Sequence, residues 1–271
     1  MRIAIVIPTY NSGRTLGRCL ASIASNDVRP SETVVVDDVR TSDDTRAIAM
    51  YYDARLIISP AGMSESRNLG IRSTGTDLVL SLDSDMSIEN GLLRATINCF
   101  QDRHIDAASI AEVSTGYGYW ARGRVIDKKS VEATGYGRAI RAFTRSLYDR
   151  LHGYDADLEA GEDADFHRRA IASGARLDHL KLPRIVHDEG FLRLSQVIRK
   201  KFNYGKTWPA FERKHSGYLE AGFGNRILAG VRISLRDDPS ALPAFLVLKA
   251  ADATAGRVGK VSHELRSRRA H

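Results

Sequence analysis

Asp83 and Asp85 stand one residue apart at the end of the apolar run 78–82, in LVLSLDSDM. Two carboxylates on a turn at a strand end can both face one hard cation. Mg²⁺ or Mn²⁺ takes oxygen ligands and keeps positions open for phosphate oxygens. A metal held there would act as a Lewis acid towards a departing diphosphate. Asp-x-Asp alone is a weak signal, common in surface loops, and its place directly after a buried strand strengthens it. Asp37 and Asp38 follow the β-branched run TVVV in the same way. Glu162 and Asp163 open a helical stretch, where carboxylates are favoured by the free amides and the helix dipole. They therefore read either as capping acids or as a reactive pair. His187 follows the apolar run 180–186 and reads as a structural histidine, an exposed one, or a ligand.

The elements that must position these groups alternate. Ile3–Ile7 is a short apolar run stopped by Pro8, and a helix with Leu16, Cys19, Leu20 and Ile23 on one face follows it. Strands at 33–36, 55–58 and 78–82 alternate with helices at about 43–50, 65–73 and 89–100. This order implies an α/β fold with a mostly parallel sheet covered on both faces. Ligands of such sheets bind beyond the carboxyl ends of the strands, where Asp37, Asp38, Asp83 and Asp85 fall. Further strands are expected at 107–113, 138–143 and 180–186, with a helix at 162–173 stopped by Gly174. The segment 116–137 is rich in Gly, Tyr and charge and reads as a loop or partly mobile insertion. Its Tyr117, Tyr119 and Trp120 could stack on a sugar or pack the insertion onto the core. The remainder reads as helices with a charged tail.

The net charge of +7 is uneven. From Val186 onward there are 16 Lys and Arg against 8 Asp and Glu, while the first 185 residues are almost neutral. Such a region suits an anionic partner or is simply a soluble surface. The stretch 191–202 is amphipathic, with Phe191, Leu194, Val197 and Ile198 on one side and Arg193, Arg199, Lys200 and Lys201 elsewhere. It reads as a helix lying on an anionic membrane surface or as an ordinary core-facing helix. Two distant cysteines, Cys19 and Cys99, are expected to be reduced core residues. The first apolar run is too short for a secretory signal, and no run approaches a membrane span. The chain is therefore expected to be cytoplasmic, with any membrane contact peripheral at the inner face.

In order and spacing, IVIPTYN (5–11), VVVDDVRTSDDT (34–45), GMSESRNLG (62–70), LVLSLDSDM (78–86) and GEDADFHRR (161–169) resemble a family 2 glycosyltransferase with the GT-A fold. The likeness spans about 165 residues. It implies that Pro8, Thr9 and Tyr10 line the base pocket and that Asp38 accepts a hydrogen bond from the base or ribose. Arg67 would lie near the diphosphate, with Asn68 ordering its loop. Asp83 and Ser84 would approach the donor, Asp83 and Asp85 would hold Mn²⁺ or Mg²⁺, and His187 would be a further metal ligand. Asp163 matches the general base, and Glu162 and Trp120 fall to the acceptor. One departure stands out. Val39-Arg40 replaces the small Gly-Ser turn usual after the paired aspartates, which puts the shape of that loop and the base preference in question.

The expected organisation is a GT-A domain over 1–190, with a donor half 1–100 and an acceptor half 101–190, and a basic helical C-terminal extension over 191–271. The sheet is expected to be mixed but mostly parallel. The expected reaction is inverting transfer of a sugar from a nucleotide-diphospho-sugar, a UDP-sugar by default, to an acceptor hydroxyl on a lipid-linked or cell-envelope glycan. Retaining transfer, nucleotidyl transfer, or a non-catalytic module binding nucleotide or nucleic acid are the alternatives. No nucleic-acid reading motif is present in the sequence, so no nucleic-acid partner is expected.

Overall fold

The computed structural model describes residues 1–60, 62–158, 160–215 and 220–269. Nothing is said of the side chains at 220–221 and 263–269, so the side chains of the charged tail at 263–271 lie outside the described residues. Two compact units emerge. The first comprises Met1–Glu112, Ala139–Ala156 and Glu162–Asp188, and the second Val113–Arg138, Asp157–Gly161 and Glu189–His271.

The first unit begins with β1 (Ile3–Thr9), every residue of which is buried. A strand with both faces covered must be apolar throughout, and IAIVIPT satisfies that. After it come α1 (Leu16–Ala24), β2 (Glu32–Asp38), α2 (Thr45–Tyr51), β3 (Arg55–Ser59), α3 (Met63–Arg72) and β4 (Leu78–Ser81). β1 pairs in parallel with β2 on one side and β4 on the other, and β2 pairs in parallel with β3. The four side chains expected to face inward on α1, Leu16, Cys19, Leu20 and Ile23, are buried. Cys19 and Cys99 are both buried and free of any disulfide. α3 lies hard against the sheet because it carries Gly70. A Cβ there would fall 2.5 Å from Val6 Cγ1 and 2.8 Å from Val36 Cγ2.

After β4 the chain makes β5 (Met86–Ile88), α4 (Leu92–Arg103), β6 (Ala107–Tyr117), α5 (Tyr119–Thr134), β7 (Ile140–Thr144), α6 (Arg145–Arg150), α7 (Glu162–Ala172) and β8 (Leu177–Phe191). The eight strands are ordered β3-β2-β1-β4-β7-β6-β8-β5. β7 runs antiparallel to β4 and to β6, and β5 antiparallel to β8, which gives the mixed sheet. β5 was not anticipated: three residues carry too little periodicity to register as a strand. The core of this unit holds two clusters. One lies around Ile5, Leu20, Leu80 and Phe100, and the other around Val6, Val36, Phe143 and Phe166.

The second unit is mainly helical, with α5, α8 (Leu194–Lys214), α9 (Glu220–Asp237) and α10 (Leu242–Arg269). Besides Glu189–His271 it takes in Val113–Arg138. That segment, expected to be a loop, holds the 16-residue helix α5. Its glycines misled because one of them is a packing device. A Cβ on Gly123 would meet the backbone of Ala244 and Phe245 at 2.7 Å, so glycine lets α5 approach α10 closely. Ile126 packs there with Ala241 and Phe245. The amphipathic stretch at 191–202 also differs from expectation. Phe191 ends β8, the helix starts at Leu194, and Phe191 and Ile198 are exposed. Among the described residues no helix is long and apolar enough to cross a membrane.

Candidate functional site

The ends of β1, β2 and β4, the interior of α3 and the starts of α5 and α7 carry the expected groups, while His187, expected just after a strand, lies inside β8, which runs on to Phe191. At the end of β1, Thr9 Oγ donates to Asp37 Oδ1 at 2.8 Å, and Thr41 Oγ1 donates to the same oxygen at 2.8 Å. Arg46 Nε donates to Asp37 Oδ2 at 2.8 Å. Asp37, fully buried, is therefore a satisfied structural anion that ties β1, β2 and α2 together.

Asp38 has a different partner. Arg40 Nε donates to its Oδ1 at 2.8 Å and Arg40 Nη2 to its Oδ2 at 2.6 Å, a bidentate fork. The Arg40 backbone amide adds a third bond at 2.8 Å. These hydrogen bonds from Arg40 hold the Asp38 carboxyl down at about 2, against the opposing effect of burial. The same guanidinium lies over the ring of Tyr10, 5.5 Å from its centre. The unusual residue after the paired aspartates thus covers two of the four residues expected to meet the base.

α3 delivers Arg67 to the next cluster. Its guanidinium is buried and donates to Glu162 Oε1 at 2.6 Å and to Asp83 Oδ1 at 2.6 Å. Asp163 Oδ1 lies 4.0 Å from Arg67 Nη1. Arg67 also faces the ring of Tyr154 at 5.6 Å. Burial alone would weaken the charge on this guanidinium, but Asp163, Asp83 and Glu162 together raise its pKa well above the ordinary value. Asn68 sits beside it as a loop clamp. It donates to Tyr154 O at 2.7 Å and accepts from Tyr154 N at 2.8 Å and from the Tyr148 hydroxyl at 3.0 Å.

Arg141 on β7 makes a second bridge. It is buried, its Nε donates to Glu112 Oε1 at 2.7 Å, and its Nη1 stands 3.5 Å from both Asp83 Oδ2 and Asp163 Oδ2. Neither Arg141 nor Glu112 was singled out from the sequence. The available signal was a lone charge inside the apolar strands IRAFT and AASIAEV. A charge buried in a strand needs a buried partner. Burial opposes ionisation of Asp83, yet Arg67, Arg141 and His187 outweigh it and hold this carboxyl well below its ordinary range. Glu162 is shifted the other way. Burial and the charge of Asp163 raise its pKa, and Arg67 only partly offsets them.

Asp85 is turned away from the arginines. Its Oδ2 is 3.0 Å from His187 Nε2, while its Oδ1 is buried with no hydrogen-bond partner. The antiparallel register of β5 and β8 sets this up by pairing Met86 with His187. Ser84 bonds the hydroxyl of Ser12 at 2.8 Å. The acids after His187 are engaged elsewhere: Asp188 with Arg18, and Glu189 with Ser114 and Arg124. Among the described residues no three His, Cys, Asp or Glu converge as a ready metal cage. A buried carboxylate oxygen without a partner beside an imidazole is nonetheless an oxygen-and-nitrogen donor pair that fits Mn²⁺ or Mg²⁺, provided phosphate oxygens complete the shell.

Of the other expected residues, Pro8 is buried inside β1, which continues to the buried Thr9, and Tyr10 is exposed. Trp120 is half-buried in the first turn of α5, edge-on to Tyr119 with ring centres 5.1 Å apart, and belongs to the second unit. Asp163 is in the first turn of α7 with Glu162 and Asp165. Its Oδ1 is buried and accepts no hydrogen bond.

Residues 4–160 match the model of glycosyl transferase family 2. The chain is similar to a pre-mycofactocin glycosyltransferase of Mycobacterium tuberculosis, 28% identical over 227 residues, which cover 76% of this chain and 47% of the relative. It is also similar to the O-antigen chain rhamnosyltransferase WbaN of Salmonella anatum, 23% identical over 281 residues, covering 94% and 88%. The chain thus spans about half the length of the first of these relatives. Among solved structures it resembles Staphylococcus aureus TarS 1-349 in complex with UDP, with a TM-score of 0.57, 18% identity and 98% and 92% coverage. It also resembles the mannosyltransferase PcManGT from Pyrobaculum calidifontis in complex with GDP-Man and Mn²⁺, with a TM-score of 0.58, 21% identity and 98% and 79% coverage. These structural likenesses establish a GT-A fold.

Proposed function

The chain belongs to glycosyl transferase family 2, and from that premise we propose that it is an inverting glycosyltransferase that moves a sugar from a nucleotide-diphospho-sugar to an acceptor hydroxyl. The observation that carries this reading is the state of Asp163. It is an acid at a helix start with a buried oxygen that accepts no hydrogen bond, held among the same buried arginines as Asp83. Inversion needs one carboxylate to take the acceptor's proton as the hydroxyl attacks the anomeric carbon. The oxygen of Asp163 that accepts no hydrogen bond is suited to that proton.

The neighbouring groups have separable roles. Arg67 and Arg141 orient Asp163 and Asp83 and keep them from repelling each other. Glu162 is held by Arg67 and faces the acceptor in this reading. Asp85 and His187 would hold Mn²⁺ or Mg²⁺, which would supply positive charge beside a departing diphosphate. Asp83 has both oxygens against guanidinium groups, so its part is to place Arg67 and Arg141 around the donor. Thr9, Tyr10 and Asp38 would line the base pocket, with Arg40 as an added element. UDP-sugars and GDP-sugars are the first donors to try, because the structural relatives are bound to UDP and to GDP-Man. A lipid-linked or cell-envelope glycan acceptor fits the likeness to an O-antigen chain rhamnosyltransferase.

The test is Asp163→Asn with a donor panel. It should lower kcat by about 10²–10⁴-fold while leaving the nucleotide-induced rise in melting temperature intact. Wild-type kcat in this variant would remove the base assignment. The anomeric configuration of the product, read by NMR, separates inversion from retention, and release of pyrophosphate would signal nucleotidyl transfer instead.

A further inference from the structure

α8 treats its cations in two ways. From Phe191 to Phe211 there are five Lys and Arg and no Asp or Glu. Lys201 points into the second unit, where its Nζ lies 3.3 Å from Asp252 Oδ1. Burial pushes the Lys201 ammonium down from its ordinary pKa, with Asp252 opposing that shift. The inward lysine is thus matched by an acid. Arg193 and Arg199 are exposed, and among the described residues neither meets a carboxylate. Lys200, also exposed, lies over the Tyr204 ring at 5.7 Å. The outward positions follow two helical rows, 195-199-203 and 196-200-204, all exposed. Arg193, Gln196, Arg199, Lys200, Asn203 and Tyr204 line one open groove of about 510 Å³ on this face.

Apolar side chains flank the cations. Phe191 is 57% exposed and Ile198 42%, and the Arg193 guanidinium lies 5.9 Å from the Phe191 ring centre. The combination of exposed cations with an exposed aromatic and an exposed aliphatic side chain favours one kind of partner. Phosphate groups match the cations, with arginine able to take two oxygens at once. An aliphatic chain such as Ile198 gains nothing from a nucleic-acid backbone but partitions readily into the acyl boundary of a bilayer. We propose that the outward face of α8, with Phe191, docks in the plane of an anionic phospholipid bilayer. Arg193, Arg199 and Lys200 sit at the headgroup phosphates, and Phe191 and Ile198 enter the interface. The proposal stands on the second unit alone and does not depend on the transfer reaction.

Co-sedimentation of the full chain with vesicles tests it. Phosphatidylcholine vesicles with and without phosphatidylglycerol are compared at low and high NaCl, since exposed charges are screened by salt. Binding should require phosphatidylglycerol and weaken with salt. Each cation near such a surface is worth about fivefold in partitioning, so Arg193→Gln/Arg199→Gln/Lys200→Gln should bind more than about tenfold less. Ile198→Ser should lose about fivefold. Arg193→Lys/Arg199→Lys keeps the charge and should still bind, which separates lost charge from lost folding. No wild-type binding to anionic vesicles, or undiminished binding by the triple Gln variant, would overturn the proposal. So would loss in the triple variant with none in Ile198→Ser, together with equally tight binding of plain duplex DNA, which would assign the face to nucleic acid.

Discussion

His187 Nε2 lies 3.0 Å from Asp85 Oδ2, although 102 residues separate the two in the chain. The three-residue strand β5 makes the meeting: it begins one residue after Asp85 and pairs with β8, and Asp188 N donates to Asp85 O at 2.9 Å. The carboxylate and the imidazole are therefore fixed by backbone hydrogen bonds on both sides.

From this pair we expect a nucleotide-induced melting shift that grows when Mn²⁺ is added. A ligand that binds only the native state at about 100 times its Kd adds about 2.7 kcal/mol. Asp85→Ala should remove the metal-dependent part of the shift, and His187→Ala should reduce it. A full metal-dependent shift in Asp85→Ala would exclude this pair as the metal site.

Arg67 is buried between Asp83 and Glu162, both at 2.6 Å. Removing one partner of a buried charge group leaves the others uncompensated. Arg67→Met should therefore destabilise the protein by about 3–5 kcal/mol. Urea unfolding would measure this, and a loss below about 1 kcal/mol would show that water already compensates these carboxylates.

The two acids beside Arg67 should respond to pH with opposite signs. Asp83 is held below its ordinary value, so its contribution to stability is fully present above about 3.9 and is lost as pH falls towards its folded value. Glu162 is raised, so the native state binds the extra proton above about 4.3 and this group's contribution falls as pH rises through that window. The stability gap between wild type and Asp83→Asn should therefore shrink on acidification. The stability of Glu162→Gln relative to wild type should climb as pH rises from about 4 and then level off. Denaturant midpoints collected across the acid range would reveal either slope, and, with both differences taken as wild type minus variant, two slopes of the same sign would contradict the assignment.

Arg40 covers Asp38 and Tyr10 from an exposed loop. Arg40→Ser should destabilise the protein by no more than about 1 kcal/mol, because the guanidinium is exposed although its partner Asp38 is buried. It should instead alter which nucleoside diphosphates raise the melting temperature, because the carboxylate it covers becomes available to a base. An unchanged nucleotide ranking would place Arg40 outside the base pocket.

The strand ends carrying Asp37, Asp38, Asp83 and Asp85 could be read without coordinates. Strands buried on both faces must be continuous apolar runs, and a run such as IVIPT or LVLSL announces its own end. The helix start at Glu162 was legible for a similar reason, since a glycine and acids precede a 3.6-residue pattern. The partners of those acids were not legible. Arg67 and Arg141, the latter backed by Glu112, meet Asp83 and Asp163 through α3, β6 and β7, and nothing in the local pattern says which of 40 cations faces which carboxylate. Helix α5 was hidden too, because glycine signals a loop locally but permits close helix contact once α10 is beside it. Periodicity is a property of neighbours in sequence and survives in the bare chain. Charge pairing and the pKa shifts that follow from it depend on distance and burial, and these exist only after the chain has folded.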